Sequence, residues 1–187
     1  FRRNPALVWD WYAYRRELIS AVSPNPAHQA LVTLEARYPE FTLITQNIDD
    51  LHRQAGSRQV IELHGNIQRV CCFDCGKPAV EWETETEKPP HCRYCGGLLR
   101  PDVVWFGEAL PRHALEDALQ AAQTCQAFFS IGTSGVVEPA ASLPYVAKQR
   151  GALVVEINLE PTPISAIADY AFHGRAGEVL PALVAAL

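Results

Sequence analysis

The sequence predicts an α/β fold in which a parallel sheet is covered on both faces by helices, with a smaller module organised around metal. Three observations carry this. Short apolar runs of strand length (FTLIT at 41–45, VIEL at 60–63, AFFSI at 127–131, LVVEI at 153–157) alternate with segments of helical periodicity, the pattern of strands buried on both faces. Polar clusters follow three of those runs, at Gln46-Asn47-Asp49, Gly132-Thr133-Ser134 and Asn158-Leu159-Glu160. They sit at the carboxyl ends of the strands, where open parallel sheets bind ligands. Third, two Cys-x-x-Cys pairs interrupt the alternation between residues 72 and 95.

The elements follow in order. Asn4-Pro5 is a helix start, with Asn as cap and Pro in the first turn. Val8, Trp11, Tyr12, Arg15, Leu18, Ile19 and Val22 then recur at helical spacing, until Ser23-Pro24-Asn25-Pro26 ends the run. A second helix begins at Pro26 and carries Leu31 and Leu34. Strands are predicted over 41–45 and 60–63, the latter leading into His64-Gly65. After the cysteine pairs, a strand is expected over Val103–Phe106. A helix is marked by Leu115, Leu119 and Ala122, and a strand runs from Ala127 to Ile131. Residues 139–150 are helical despite Pro144, a strand covers Leu153–Ile157, and a helix closes the chain over Gly177–Leu187.

A chain of 187 residues can bury one sizeable core with a smaller module attached. Its net charge of −5 provides no broad basic field for nucleic acid. No apolar run approaches the roughly 18 residues that span a bilayer. The chain opens on Phe1 and contains no Met, which reads as a processed, truncated or fragmentary chain.

Cys72, Cys75, Cys92 and Cys95 form two claws separated by sixteen residues, the spacing of a zinc ribbon. Disulfides or free thiols are the alternative, but zinc suits the spacing far better. Four thiolates fill a tetrahedron and leave no position for substrate, so such a zinc is structural. Cys71 neighbours the first ligand and competes with it at poorer spacing, and Cys125 reads as an inert thiol before a strand.

These pieces together resemble the sirtuin family. Thr45-Gln46-Asn47-Ile48-Asp49-Asp50-Leu51-His52, then Ala55-Gly56, is similar to its TQN[IV]DxLH…AG motif. His64-Gly65-Asn66 is similar to the segment carrying its catalytic histidine, and Cys72 falls eight residues beyond His64. Arg100 to Glu108 (RPDVVWFGE), Gly132-Thr133-Ser134, Asn158-Leu159-Glu160 and Gly174-Arg175-Ala176-Gly177 match later motifs in order. The family's glycine-rich opening segment, which holds the NAD phosphates, has no counterpart here. The resemblance therefore implies that this chain alone is a poor NAD binder.

The resemblance implies an NAD-dependent protein-lysine deacylase that releases nicotinamide, O-acyl-ADP-ribose and free lysine, and carries one structural zinc. It implies a Rossmann-like NAD-binding domain over 41–67 and 103–187, with a helical module over 1–40 and a zinc ribbon over 68–102. His64 is the proton acceptor, and an imidazole titrating near neutrality suits that task. Asn47 positions ribose and a water, Gln46 contacts ribose, and Asp49 binds the nicotinamide carboxamide. Ile48, Gly132, Thr133, Ser134, Asn158, Leu159, Glu160 and Ala176 complete the NAD contacts. Val104 and Phe106 flank the acyl-lysine. Trp11 to Glu17 resembles the Tyr-x-x-Arg signature of the class III bacterial type, which removes succinyl and malonyl groups. This makes Tyr12 and Arg15 the partners of an acyl carboxylate, with Tyr14 and Arg16 pointing elsewhere. The expected partners are acylated lysines in proteins, with neither nucleic acid nor membrane, in the cytoplasm. A mono-ADP-ribosyltransferase, a catalytically impaired sirtuin fragment and a non-catalytic zinc-ribbon module are the competing readings.

Overall fold

The computed structural model describes residues 1–82 and 87–187. Glu83 to Thr86, in the acidic stretch between the cysteine pairs, lie outside the described residues. The chain folds as two compact units. The smaller comprises Phe1–Ser23, Asn47–Asp50 and His64–Ala109, and the larger comprises Pro24–Gln46, Leu51–Leu63 and Leu110–Leu187.

The larger unit holds the parallel strands. β1 (Leu43–Thr45) pairs in parallel with β2 (Val60–Glu62). β6 (Ala127–Ile131), β7 (Leu153–Asn158) and β8 (Tyr170–His173) form a second parallel sheet in that order. Its helices are α2 (Pro26–Arg37), α3 (Leu51–Ala55), α4 (Arg112–Thr124), α5 (Leu143–Gln149) and α6 (Ala176–Ala186). One core joins Ala30 and Leu34 of α2 to Val155 and Ile157 of β7 and Leu180 and Val184 of α6. A second joins Leu63 to Ala118, Ala122, Leu143 and Ala147, with Ile44 of β1 and Phe128 of β6 packed against it. Small residues line α4, which lets its backbone approach its neighbours closely.

Two expectations change here. The sequence places α2 with the helical module of the smaller domain, yet its apolar face packs against α6. The helix expected over 139–150 is a 3-10 turn, Ala140–Ser142, followed by α5. Pro144 falls in the first turn of α5, where its missing N–H costs nothing.

In the smaller unit, β3 (Gly65–Cys72) lies between β4 (Pro78–Ala79) and β5 (Leu99–Val103) in an antiparallel sheet. The strand expected over Val103–Phe106 is thus displaced to Leu99–Val103. Its pairing partner is β3 in this unit rather than a strand of the parallel sheet. α1 (Pro5–Ser20) begins as expected, with the Asn4 side chain accepting from the Leu7 N–H at 3.1 Å. Its buried face differs from the expected one. Trp9 and Tyr12 are buried, with Val8 and Ile19 packed beside Tyr12, while Trp11, Leu18 and Val22 are exposed. Apolar residues occupy nearly every side of this helix, so periodicity alone could not choose the face. Among the described residues no helix is long and apolar enough to cross a membrane.

Candidate active site and metal centre

In the larger unit the ends of three parallel strands meet at Thr133. Gln46, after β1, donates from Nε2 to Thr133 Oγ1 at 3.3 Å. Asn158, the last residue of β7, donates from Nδ2 to the Thr133 carbonyl at 2.8 Å. Thr133 Oγ1 also accepts from the Gly135 N–H at 3.3 Å. One residue from each cluster read from sequence, Gln46, Thr133 and Asn158, therefore joins a single hydrogen-bonded group. Ser134, Leu159 and Glu160 stand exposed beside it, and Ala176 is half-buried in the first turn of α6.

In the smaller unit the segment Asn47–Asp50 is fastened to the start of β3. The Ile67 N–H donates to the Ile48 carbonyl at 2.8 Å, and Asn66 Nδ2 donates to Asp50 Oδ1 at 2.7 Å. Ile48 packs with Tyr12, Ile67 and Val103. Asn47 is exposed and Asp49 half-buried. His64, half-buried, immediately precedes Gly65 and accepts at its carbonyl from the Val104 N–H at 2.9 Å. Gly65 has φ +78°, and a Cβ there would lie 2.1 Å from the Asp102 carbonyl oxygen. Glycine after His64 is what allows β5 to approach.

The segment after β5 is clamped by a pair that sequence reasoning passed over. Buried Arg100 makes two bonds to Glu108, at 2.6 and 2.9 Å, and a third to the Val103 carbonyl at 2.7 Å. Glu108 also accepts from the Trp105 N–H at 2.9 Å, and the Arg100 guanidinium lies 3.4 Å from the Trp105 ring centre. The bonds from Arg100, then that from Trp105, hold the Glu108 carboxyl below its ordinary range despite partial burial. Opposite charges bracketing RPDVVWFGE were the available signal. Within the clamped segment Val104 is half-buried and Phe106 fully open to solvent.

Tyr12 turns inward, and its hydroxyl accepts from Trp105 Nε1 at 2.9 Å. Arg15 is exposed, its guanidinium 5.2 Å from the Trp11 ring centre. Arg16, expected to point away, is half-buried over Trp9 and donates to the Ile67 carbonyl at 3.4 Å. It shares the inward side because Tyr12 and Arg16 are four residues apart, one helical turn.

The four sulfurs of Cys72, Cys75, Cys92 and Cys95 lie within 4.8 Å of one another. Cys72 and Cys95 are 3.5 Å apart, and Cys75 and Cys92 3.8 Å. Thiolates about 2.3 Å from a central zinc have sulfur–sulfur edges of about 3.8 Å, so the group fits one tetrahedral ion. Backbone N–H groups of Cys75 and Tyr94 each approach a sulfur at 3.4 Å. The latter contact is the main cause lowering the Cys92 thiol to about 7. Cys71 is not among the four; burial pushes its thiol up to about 11.

The model of the Sir2 family matches residues 1–139. The chain is 54% identical over 184 residues to NAD-dependent protein deacylase 2 of Pyrobaculum aerophilum, covering 98% of this chain and 74% of that protein. It is 54% identical over 177 residues to the NAD-dependent protein deacylase of Aquifex aeolicus, covering 94% and 74%. A solved Sir2 homologue in complex with NAD superposes with a TM-score of 0.92 at 48% identity, covering 100% of this chain and 73% of that one. A Sir2 bound to acetylated peptide gives 0.89 at 34% identity, covering 100% and 80%. With its motifs in order and its cysteines gathered around one metal position, the chain belongs to the Sir2, or sirtuin, family.

Proposed function

We propose that the protein is an NAD-dependent protein-lysine deacylase. The observation that carries this reading is the 54% identity to a protein of that name along 98% of the chain. NAD supplies a ribose carbon activated by nicotinamide as leaving group. His64 accepts a proton from a ribose hydroxyl, and Asn47 orients ribose and a water. Gln46 contacts ribose, and Asp49 with Ile48 receives the carboxamide. Gly132, Thr133 and Ser134 face phosphate. Asn158, Leu159, Glu160 and Ala176 hold the adenosine end. The Thr133-centred bonding supports this assignment, because it leaves the loop N–H groups and hydroxyls in a fixed array before any ligand arrives. Val104 and Phe106 flank the acyl-lysine, whose extended peptide pairs with backbone.

Zinc held by Cys72, Cys75, Cys92 and Cys95 is structural, since four thiolates complete its shell. The larger unit is the Rossmann-like NAD-binding domain, while the smaller carries the zinc ribbon and α1. The protein acts in the cytoplasm on acylated proteins, and its net charge of −5 speaks against nucleic acid as partner.

Desuccinylation is a second activity of the same site. Buried Tyr12 has accepted one hydrogen bond, so its O–H remains to donate to an acyl carboxylate. Exposed Arg15 offers the planar fork such a group pairs with. The test is incubation of the full-length protein with NAD and acetylated or succinylated peptide. Nicotinamide release matched by loss of the acyl group supports the reading. Transfer of ADP-ribose to protein with the acyl group retained would replace it with the transferase reading.

A further inference from the structure

Glu156 is an ionisable residue in the middle of β7 and only 1% exposed. No lysine, arginine or histidine pairs with it among the described ion pairs. Its two carboxylate oxygens are instead each taken by a hydroxyl, Oε1 by Thr162 and Oε2 by Ser165. Both hydroxyls are used twice. Thr162 Oγ1 accepts from the Ile164 N–H at 3.1 Å, and Ser165 Oγ accepts from the Thr162 N–H at 2.9 Å. A hydroxyl has one proton, and the carboxylate fixes where each proton goes. The hydroxyls are thereby free to receive the backbone N–H groups of a reciprocal capping turn.

That turn, Pro163–Ala166, closes the loop that begins at Asn158. It also seats the neighbouring loop. Ile164, buried in the turn, packs so tightly on Gly135 that a Cβ there would lie 2.8 Å from its Cδ1. On its other flank the Pro163 carbonyl accepts from the Tyr145 hydroxyl at 3.2 Å. The Gly132–Gly135 loop and the Asn158–Glu160 loop are therefore held against each other at two places. One is the bond from Asn158 to the Thr133 carbonyl, and the other is the Ile164–Gly135 contact behind it.

We infer that Glu156 is a positioning residue for nucleotide: its carboxylate, through Thr162 and Ser165, sets the spacing of the two loops that take the phosphate and adenosine ends. The inference rests on the NAD reading above. It concerns a residue that touches no ligand itself. Glu156→Gln keeps the shape but replaces one acceptor oxygen by an N–H donor, so one hydroxyl proton loses its buried acceptor. Losing such a buried bond is expected to weaken ADP-ribose binding roughly tenfold.

The experiment is titration of the full-length protein with ADP-ribose, followed by hydrogen exchange of residues 159–167 and steady-state kinetics. In Glu156→Gln the loop amides should exchange faster, and the KM for NAD should rise about as much as the Kd for ADP-ribose. The kcat at saturating NAD and the KM for acyl-peptide should stay near the unaltered values. Thr162→Val should repeat the effect, and Thr162→Ser, which keeps the hydroxyl, should restore it. Faster loop exchange or a lower melting temperature with unchanged ADP-ribose affinity in both Glu156→Gln and Thr162→Val would overturn the positioning role, leaving the deacylase reading standing. Absence of ADP-ribose binding by the unaltered protein would overturn the NAD reading and this role with it.

Discussion

Replacing Gly65 by alanine tests how tightly the structure fixes the residue beside His64. A Cβ at this position would lie 2.1 Å from the Asp102 carbonyl oxygen, 3.0 Å from the Asp102 carbonyl carbon and 3.1 Å from Val103 Cα. All three atoms belong to the backbone of β5, which cannot rotate away as a flexible side chain could. The residue also has φ +78°, and a side chain in the left-handed region costs roughly 1–2 kcal/mol. Overpacking adds about 1–3 kcal/mol, so the expected loss is ~2–5 kcal/mol. At about 2–4 °C per kcal/mol the melting temperature should fall by roughly 4–20 °C. Gly107 supplies the control. Its φ is +88°, but a Cβ there meets nothing within 4 Å, so Gly107→Ala carries the conformational cost alone. Differential scanning calorimetry of the two variants isolates the clash. Equal melting temperatures would refute the close approach of β5 to His64 and the register argued from it.

The remaining predictions concern catalysis, metal and charge. His64→Ala should lower deacylation by about two to four orders of magnitude, the worth of a placed acid–base group, with the melting curve unchanged; retained turnover would remove His64 as the base. Metal analysis should find one zinc per chain, and Cys92→Ala should abolish it and melt the smaller unit at lower temperature, because metal binding and folding are coupled. Arg15→Met should weaken desuccinylation about ten- to a hundredfold and affect deacetylation much less; equal losses would make Arg15 structural. The depressed pKa of Glu108 means that its clamp on Arg100 is complete above the ordinary carboxylate range and is lost as pH falls through the lowered folded value. Melting below about pH 4 should therefore show an acid limb that Glu108→Gln flattens, and identical limbs would show that the clamp adds no stability.

Legibility from sequence tracks how local each signal is. The Asn4-Pro5 start of α1, the Pro26 start of α2 and the strands at 127–131 and 153–157 are set by caps, prolines and continuous apolar runs within a few residues. All four appear where those signals put them. The cysteine claws are legible because chelation ties identity to spacing. β5 is harder to place because Pro101-Asp102 looks like a break, whereas pairing with β3 keeps Leu99–Val103 extended. The buried face of α1 escapes the pattern because Leu7, Trp11, Tyr14 and Leu18 make a second apolar stripe, and only the partner elements decide which stripe is covered. At the candidate site, the motif segments are readable one by one. Their convergence on Thr133 is not, since it depends on which strands adjoin. Glu156 gives no signal because a lone acid in an apolar strand looks like an error in pattern until Thr162 and Ser165 fold back onto it.

The deacylase reading is tested most directly by mass spectrometry of the products formed by the full-length protein from NAD and an acetyl-lysine peptide. One nicotinamide and one O-acetyl-ADP-ribose should form for each lysine freed, and His64→Ala should free lysine about two to four orders of magnitude more slowly. ADP-ribose attached to protein while the acetyl group stays on lysine, or acetyl loss that proceeds without NAD, would contradict it.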